Sequence, residues 1–421
     1  MKREMVWRSD YKPDERRYFH MPNKNVFILA LFYAFIYMST GSFSSYIGVY
    51  FTEAGIGNTE IGILTSIGAV VGLVAQPLWG LAGDRSRTKN RILMLCTLLS
   101  ALTVWLVPWA GTAFIPALLA MALFSVFQIA INPLSDAITL ELSSKGVVRF
   151  SSIRTFGSVG YAFISVAAGW LFARHIDTIF LVTSVIMMAC FFLSLGIPTV
   201  AGHQSGSSKR VKLTEIFRSR QLVVLYIYTL VLSTTMGFLW AFQAIYSKEQ
   251  GISMEVIGIG LAIGSFSQFP FMIFFQKFYN RFGIRRILLF SGFIHTLRWC
   301  LYAFALTPFT YILSWVLHGG TYILFYMCLA EYVNKHVVKE LRATGQMLNS
   351  MIQLSVGKII GGMLGGLYVA QFGFHSAFLL LAGIGLVSTA GFYTVSRMFQ
   401  VFSDKLEGRV LENVNGMRIP D

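Results

Sequence analysis

The sequence predicts an all-α polytopic membrane protein with twelve transmembrane helices arranged as two pseudo-symmetric six-helix bundles. Three observations predict it. The 421-residue chain is 55% apolar and 13% charged, with a mean hydropathy of +0.63. Its apolar residues gather into twelve runs of membrane-spanning length, and a motif near the start of the second run returns 196 positions later. A soluble domain carries about 25% charged residues, so a water-soluble fold would expose much of this apolar surface. Lipid removes that difficulty.

Runs of about 20 apolar residues can cross the ~30 Å hydrocarbon layer as helices. They fall near 26–51, 59–83, 92–110, 113–141, 150–173, 177–197, 221–246, 254–280, 287–306, 309–334, 343–370 and 374–399. Strands are excluded as spans because their open edges leave backbone groups unsatisfied in lipid. The first run follows a basic, polar stretch, Met1 to Lys24, that lacks the apolar core and cleavage site of a secretory signal, so it reads as a signal anchor. The second and eighth runs open on the repeated motif, and basic loops follow both. A Gly/Ser/Lys-rich stretch after Pro198 separates the first six runs from the last six and reads as a linker. The expected organisation is a tail over 1–25, a bundle over 26–197, a linker over 198–220, a bundle over 221–400 and a tail over 401–421.

Orientation follows from Lys and Arg. With the N-terminus inside, 29 of the 34 basic residues fall in the tails and inward-facing loops, and only Arg174 and Lys248 lie in outward-facing ones. This obeys the positive-inside rule and places both termini in the cytoplasm, in the inner membrane. The formal charge of +15 therefore reports contact with anionic lipid and does not predict nucleic-acid binding. The four cysteines sit within apolar runs without CxxC or His-rich spacing, so they read as buried thiols, and neither a metal nor a cofactor is expected.

The two halves repeat. Ile61-Gly62-Ile63-Leu64-Thr65-Ser66-Ile67-Gly68 returns as Ile257-Gly258-Ile259-Gly260-Leu261-Ala262-Ile263-Gly264. A parallel repeat of two six-helix halves is the mark of transport by rocking around a central cavity. The chain Gly80-Leu-Ala-Gly-Asp84-Arg85-Ser-Arg-Thr-Lys89 resembles the signature loop of the major facilitator superfamily, although Arg87 replaces the usual glycine and the second-half copy has Asn280 at the acidic position and Arg281 after it. The resemblance implies the major facilitator fold. It also implies that Gly80, Asp84, Arg85, Lys89 and Arg281 belong to loops that tie neighbouring helices together in the outward-facing state.

Over nearly the whole chain the sequence also resembles the lactose-permease-like oligosaccharide–proton symporters and the phenylpropionate permeases. The likeness rests on Asn132-Pro133-Leu134-Ser135-Asp136, on Arg154-Thr-Phe-Gly157-Ser-Val-Gly160-Tyr161, on Arg298-Trp299 and on Leu317-His318-Gly319. It implies that Asp136 and Arg154 bind sugar hydroxyls, that Tyr161 stacks on the ring, and that Arg298 and His318 join a polar cluster handling substrate and proton. Thr321, and Ser265 or Gln268, stand where those symporters have carboxylates. Proton coupling therefore has no assigned carboxylate.

An ionisable group at mid-membrane costs at least ~2.5–3.5 kcal/mol and needs a partner or a wet cavity. Asp136 and Arg154 form the best pair, either as solute ligands or as a pin between two helices. Arg298 faces the cavity or snorkels. His318 binds solute or a proton, or rests on a neighbouring backbone group. Trp240, Trp299 and Gln268 complete the candidate substrate-binding set, and Tyr322 is among the aromatics that could line it. Lys358 has no acid in span seven to neutralise it, so the deep groups total +3 against −1, and the excess suits an anionic cargo unless the amine is neutral.

The leading expectation is proton-coupled uptake of a small polar solute, a sugar or nucleoside, by a monomer surrounded by lipid. The alternatives are import of an aromatic or other organic carboxylate, export of drugs or metabolites, and a sensor that does not translocate. The ~23-residue linker is too short for a sensor's soluble output domain. An enzyme is disfavoured, since no HExxH pair, GxSxG elbow or phosphate loop occurs.

Overall fold

The computed structural model describes residues 24–201, 220–304, 306–337 and 342–415. Nearly all of the expected N-terminal tail and most of the expected linker lie outside the described residues. The first six spans are Lys24–Glu53, Asn58–Arg85, Lys89–Trp109, Phe114–Ser144, Phe150–Phe172 and Thr178–Leu195. Span seven is Arg220–Glu249 and span ten is Pro308–His336. Between and after them run two very long helices, Met254–Phe304 of 51 residues and Gly357–Asn415 of 59 residues. Straight helices of that length would measure about 77 and 89 Å, more than twice the hydrocarbon layer.

Each long helix folds back at one glycine. Gly283 has φ 72° and ψ 162°, and Gly373 has φ 76° and ψ 169°, a left-handed φ that any Cβ would strain. Ten continuous apolar segments thereby make twelve crossings. Spans eight and nine are 254–282 and 284–304, and spans eleven and twelve are 342–372 and 374–398. Span eleven contains a π-helical stretch, Met351–Val356, and span ten is broken by a 3₁₀ turn at His318–Gly320.

The repeat in sequence is a repeat in contacts. Gly41 lies against Tyr161 and Ile164 (span one on span five), and Gly237, 196 positions on, lies against Gly357 and Lys358 (span seven on span eleven). Gly62 of span two meets Gly362 and Gly366 of span eleven so closely that a Cβ would overlap the Gly362 carbonyl oxygen. Its counterpart Gly258 of span eight meets Ser165 of span five in the same way, and Gly169 lies against Gly258. Lacking side chains, these glycines let helix backbones of opposite bundles touch. The glycines of span eleven serve both directions, since Gly362 and Gly366 meet span two while Gly361 and Gly365 pack on Thr234 and Phe238 of span seven.

These cross-bundle contacts lie on the face opposite the basic loops. An ion pair between Glu53 at the end of span one and Lys248 at the end of span seven joins the bundles there as well. The apolar core has the same asymmetry. One continuous cluster, including Ile61, Phe124, Phe180, Phe242, Ile257 and Phe378, runs through both bundles. Toward the basic loops the core divides into one cluster within the first bundle, around Phe32, Leu93 and Ile138, and another within the second, around Leu288, Phe325 and Val333. The molecule is closed on the face away from the basic loops and parted toward them.

Closure that depends on backbone contact at Gly258 is sensitive to added volume. Gly258→Leu is expected to raise the alkylation rate of a single cysteine placed at Ser165, in a background without native cysteines, by about tenfold or more, the change a 1.4 kcal/mol penalty produces. Unchanged labelling would mean that this contact does not hold the face shut.

Candidate functional site

Asp136 lies in span four, one turn after Pro133. Proline has no N–H for the carbonyl of Ile129 and bends the helix where the carboxylate emerges. Span five begins at Phe150 and carries Arg154 in its second turn. Arg154 Nη1 donates to Asp136 Oδ2 at 3.0 Å, and Tyr33 of span one donates its hydroxyl to Asp136 Oδ1 at 2.7 Å. Three spans of the first bundle therefore converge on one carboxylate. Tyr33 is wholly buried, whereas the Arg154 side chain is 47% exposed and that of Asp136 30% exposed. The pair opens onto the space between the bundles.

Across that space stand Tyr322 and Tyr326 of span ten, one helical turn apart, with stacked rings 6.1 Å between centroids and 30° between planes. Arg154 lies within electrostatic range of both, and of Tyr37 from span one. Tyr37 is seated on Gly157 of span five. The site thus combines a carboxylate and a guanidinium from one bundle with tyrosine faces and hydroxyls from the other. Such a set can hydrogen-bond a polyhydroxylated solute and cover an apolar or planar face of it. Sequence reasoning missed Tyr33, Tyr37 and Tyr326. They are separated from Asp136 and Arg154 in sequence, and only the turn-spaced pair Tyr322/Tyr326 carried a readable signal.

Tyr161 lies deeper, half-buried, with its hydroxyl 3.2 Å from Ser45 Oγ. Gln268 is half-buried in span eight, two residues before Pro270. Beside it the Gly319 N–H donates to Ser267 Oγ at 2.9 Å, joining span eight to the break in span ten.

Arg298 and His318 form a second cluster inside the second bundle. Arg298 is fully buried. Its Nε donates to Ser314 Oγ at 3.2 Å, and its Nη1 lies 3.1 Å from His318 Nδ1 and 3.3 Å from Thr321 Oγ1. A guanidinium has no acceptor, so His318 Nδ1 accepts and the ring is the neutral Nε2–H tautomer. Trp299 and Trp315 lie 5.5 and 5.4 Å from the Arg298 charge centre, within cation–π reach. Arg298 Nη2 has no partner among the described residues. Trp240 sets its ring edge-on to His318 at 6.0 Å, while Trp299 is wholly buried and donates to Thr235 Oγ1 at 3.2 Å. Trp299 is part of the packing that holds the cluster.

Lys358 follows the π-helical stretch of span eleven, half-buried where that span crosses spans two and seven, with Ser66 donating to its carbonyl at 3.4 Å. Among the described residues no carboxylate lies within 4 Å of Lys358 or Arg298.

The loop after span two is a tie within the first bundle. Lys89 Nζ lies 3.5 Å from Asp84 and 3.7 Å from Glu141 at the end of span four. Its neighbour Asn90, buried, gives Nδ2 to the carbonyls of Ile197 and Pro198 and accepts from the Val200 N–H at 2.9 Å. The second-half counterpart of Lys89 is Arg285, which donates to Ser396 Oγ at 2.8 Å and to the Tyr393 carbonyl at 3.4 Å. Arg85 and Arg281 are exposed, Arg281 resting on Phe282, and Gly80 has open space around it. Sequence reading placed weight on the charged members and passed over Asn90.

Comparison with known proteins gives four results. A model of the "MFS_1 like family" matches residues 26–380. The chain is 26% identical to the maltose permease of Geobacillus stearothermophilus over 84% of this chain and 90% of that one. It is also 26% identical to the Escherichia coli protein named "Probable 3-phenylpropionic acid transporter", over 72% of this chain and 81% of that one. The crystal structure of the nucleoside transporter NupG superposes with a TM-score of 0.77 at 19% identity, covering 88% of this chain and 98% of that one.

Removing the Asn90 amide takes its hydrogen bonds from the buried Ile197 carbonyl and Val200 N–H and from the part-buried Pro198 carbonyl. Asn90→Ala is expected to cost about 2–4 kcal/mol, read as a lower midpoint in denaturant or thermal unfolding of the purified protein. Arg85→Ala is expected to stay within about 0.5 kcal/mol of the parent.

Proposed function

The chain belongs to the MFS_1 like family, and from that premise we propose that it is a secondary transporter moving a sugar or a nucleoside across the inner membrane by alternating access. One observation carries this reading: the half-exposed Asp136–Arg154 pair of one bundle faces Tyr322 and Tyr326 of the other, in the region where the bundles have separate cores. Arg154 donates to solute hydroxyls and Asp136 accepts from them, while Tyr37, Tyr161, Tyr322 and Tyr326 cover the ring. Arg298, His318 and Trp240 shape the wall of the second bundle, and Gln268 adds a neutral amide. The likeness to the maltose permease and the fold shared with a nucleoside transporter support this class of cargo.

The distribution of Lys and Arg supports a cytoplasmic position for both termini and the basic loops. In that orientation the closed face is external, and the structure is an inward-facing state. A single chain supplies both walls of the cavity, which supports a working monomer. Uptake is coupled to protons in this reading, and the loop ties at Asp84, Lys89 and Arg285 keep each bundle rigid as it rocks.

A second reading, import of an organic carboxylate, is favoured by Lys358 and Arg298, neither of which has a carboxylate within 4 Å among the described residues. A bound anion would supply the missing negative charge.

Counterflow in proteoliposomes separates the readings. Vesicles preloaded with maltose, uridine or 3-phenylpropionate are expected to exchange label with one of the first two, and exchange with the acid alone would replace the first reading by the second. Arg154→Gln is expected to lower exchange by about a hundredfold, since a charge-assisted contact worth about 2–3 kcal/mol is lost. Tyr326→Leu is expected to weaken binding by about three- to tenfold, in keeping with an aromatic contact of ~0.5–1.5 kcal/mol. An Arg154→Gln variant that exchanges at the parental rate would remove the pair from the solute site.

A further inference from the structure

We propose that the second bundle holds a small monovalent anion, chloride in kind, between Arg298, Tyr302 and Trp315. The site stands whichever cargo is carried. Arg298 and Tyr302 are one turn apart in span nine, and Ser314 and His318 one turn apart in span ten, so each helix presents its pair on one face. Arg298 gives Nε to Ser314 Oγ at 3.2 Å and Nη1 to His318 and Thr321, while Nη2 has no partner among the described residues. Two more buried donors share that condition, the Tyr302 hydroxyl and the Trp315 Nε1–H. The three are neighbours. Ser314 and Trp315 stand beside the Tyr302 hydroxyl, outside hydrogen-bond geometry, and the Trp315 ring centre is 5.4 Å from the Arg298 charge centre. Nε and Nη2 present one edge of a guanidinium in parallel. Nη2 therefore points to the Ser314 side, where Tyr302 and Trp315 are.

Four hydrogens await an acceptor: two on Nη2, one on the indole and one on the phenol. A water oxygen has two lone pairs and cannot accept all four. A halide ion accepts from every direction. Charge decides the same way. Arg298 is fully buried, and no carboxylate lies within 4 Å of it among the described residues. A guanidinium does not shed its proton in a protein, and a buried cation without a counter-charge is strongly destabilising. His318, Thr321 and Ser314 supply lone pairs and no charge, and the indole faces of Trp299 and Trp315 offset only part of the cost. Size limits the occupant. Trp299, Tyr302 and Tyr311 are fully buried, and Trp315 is backed by Gly260 and Gly264 of span eight. That enclosure suits a monatomic ion better than a carboxylate trailing a carbon chain.

Thermal unfolding of the purified full-length protein in neutral detergent tests this. Sodium chloride, bromide, gluconate and 3-phenylpropionate are compared at one pH and ionic strength, with no sugar or nucleoside present. Chloride and bromide are expected to raise the midpoint saturably above gluconate, by about 2–4 °C at a hundredfold excess over Kd. Arg298→Gln is expected to remove the increment. Tyr302→Phe, which deletes one donor and keeps the ring, is expected to raise the half-saturating chloride concentration about three- to tenfold. Bromide in crystals should give an anomalous peak within hydrogen-bond reach of Arg298 Nη2. Equal midpoints in chloride and gluconate would overturn the proposal, as would an increment surviving in Arg298→Gln or a half-saturation unchanged in Tyr302→Phe. If Arg298→Gln does not fold, Tyr302→Phe decides, because loss of a merely unpaired phenol would shift the midpoint alike in every salt. Stabilisation by 3-phenylpropionate without any by chloride would also overturn it, and would assign the Arg298 charge to a cargo carboxylate. Counterflow takes no part in these measurements, so the failure of the cargo reading and the failure of the anion site are told apart.

Discussion

A polar group inside hydrocarbon has to carry its hydrogen-bond partner with it, and that constraint shapes this molecule at every level. It makes each span a helix, because only a helix satisfies its own backbone. It turns hydroxyls back onto their own helices, as with Thr97 on Leu93, Ser135 on Ile131 and Thr139 on Ser135. Where the backbone departs from the helix, a side chain or a neighbouring span takes over. Asn90 satisfies the chain leaving span six, and Ser267 receives the Gly319 N–H at the break in span ten. The ionisable groups follow the same logic at higher cost, with Asp136 held by Tyr33 and Arg154, and Arg298 wrapped by Ser314, His318, Thr321 and two indole rings.

Between the bundles the chemistry is different. Apolar side chains gain little by leaving lipid for one another, so the bundles are joined by close backbone packing at glycines and by the Glu53–Lys248 ion pair at the rim. Side-chain hydrogen bonds also cross the seam, from Ser66 to the Lys358 carbonyl and from Ser265 to the Ser158 carbonyl. The loop ties at Lys89, Asn90 and Arg285 lie within single bundles. Each bundle is therefore tied within itself and meets the other along a seam of small residues, the arrangement that rocking of one bundle against the other requires.

The site stands where that seam opens. Its charges come from the first bundle and its stacked tyrosines from the second, so a solute touching both reports the closing of one on the other. The second bundle's own cation, Arg298, is sealed among tryptophans and has one nitrogen without a partner among the described residues. Its Nη1 lies 3.1 Å from His318 Nδ1 and 3.3 Å from Thr321 Oγ1, at the broken turn of span ten that precedes Tyr322 and Tyr326.

The sequence by itself determined the membrane fold, the near positions of all twelve spans and the internal repeat, because hydrophobic run length and the 196-residue recurrence are local or linear properties of the chain. It also singled out Asp136 with Arg154, since a charge within an apolar run is conspicuous wherever it lies. Tertiary structure alone decided which groups meet those charges. Tyr33 and Tyr37 look like any aromatic in an apolar run, Trp299 differs from Trp240 only in what surrounds it, and Asn90 matters through carbonyls more than a hundred residues away. Partner choice depends on helix rotation and crossing, set by where glycines admit a neighbouring backbone, and no linear pattern records which side of a helix will be met.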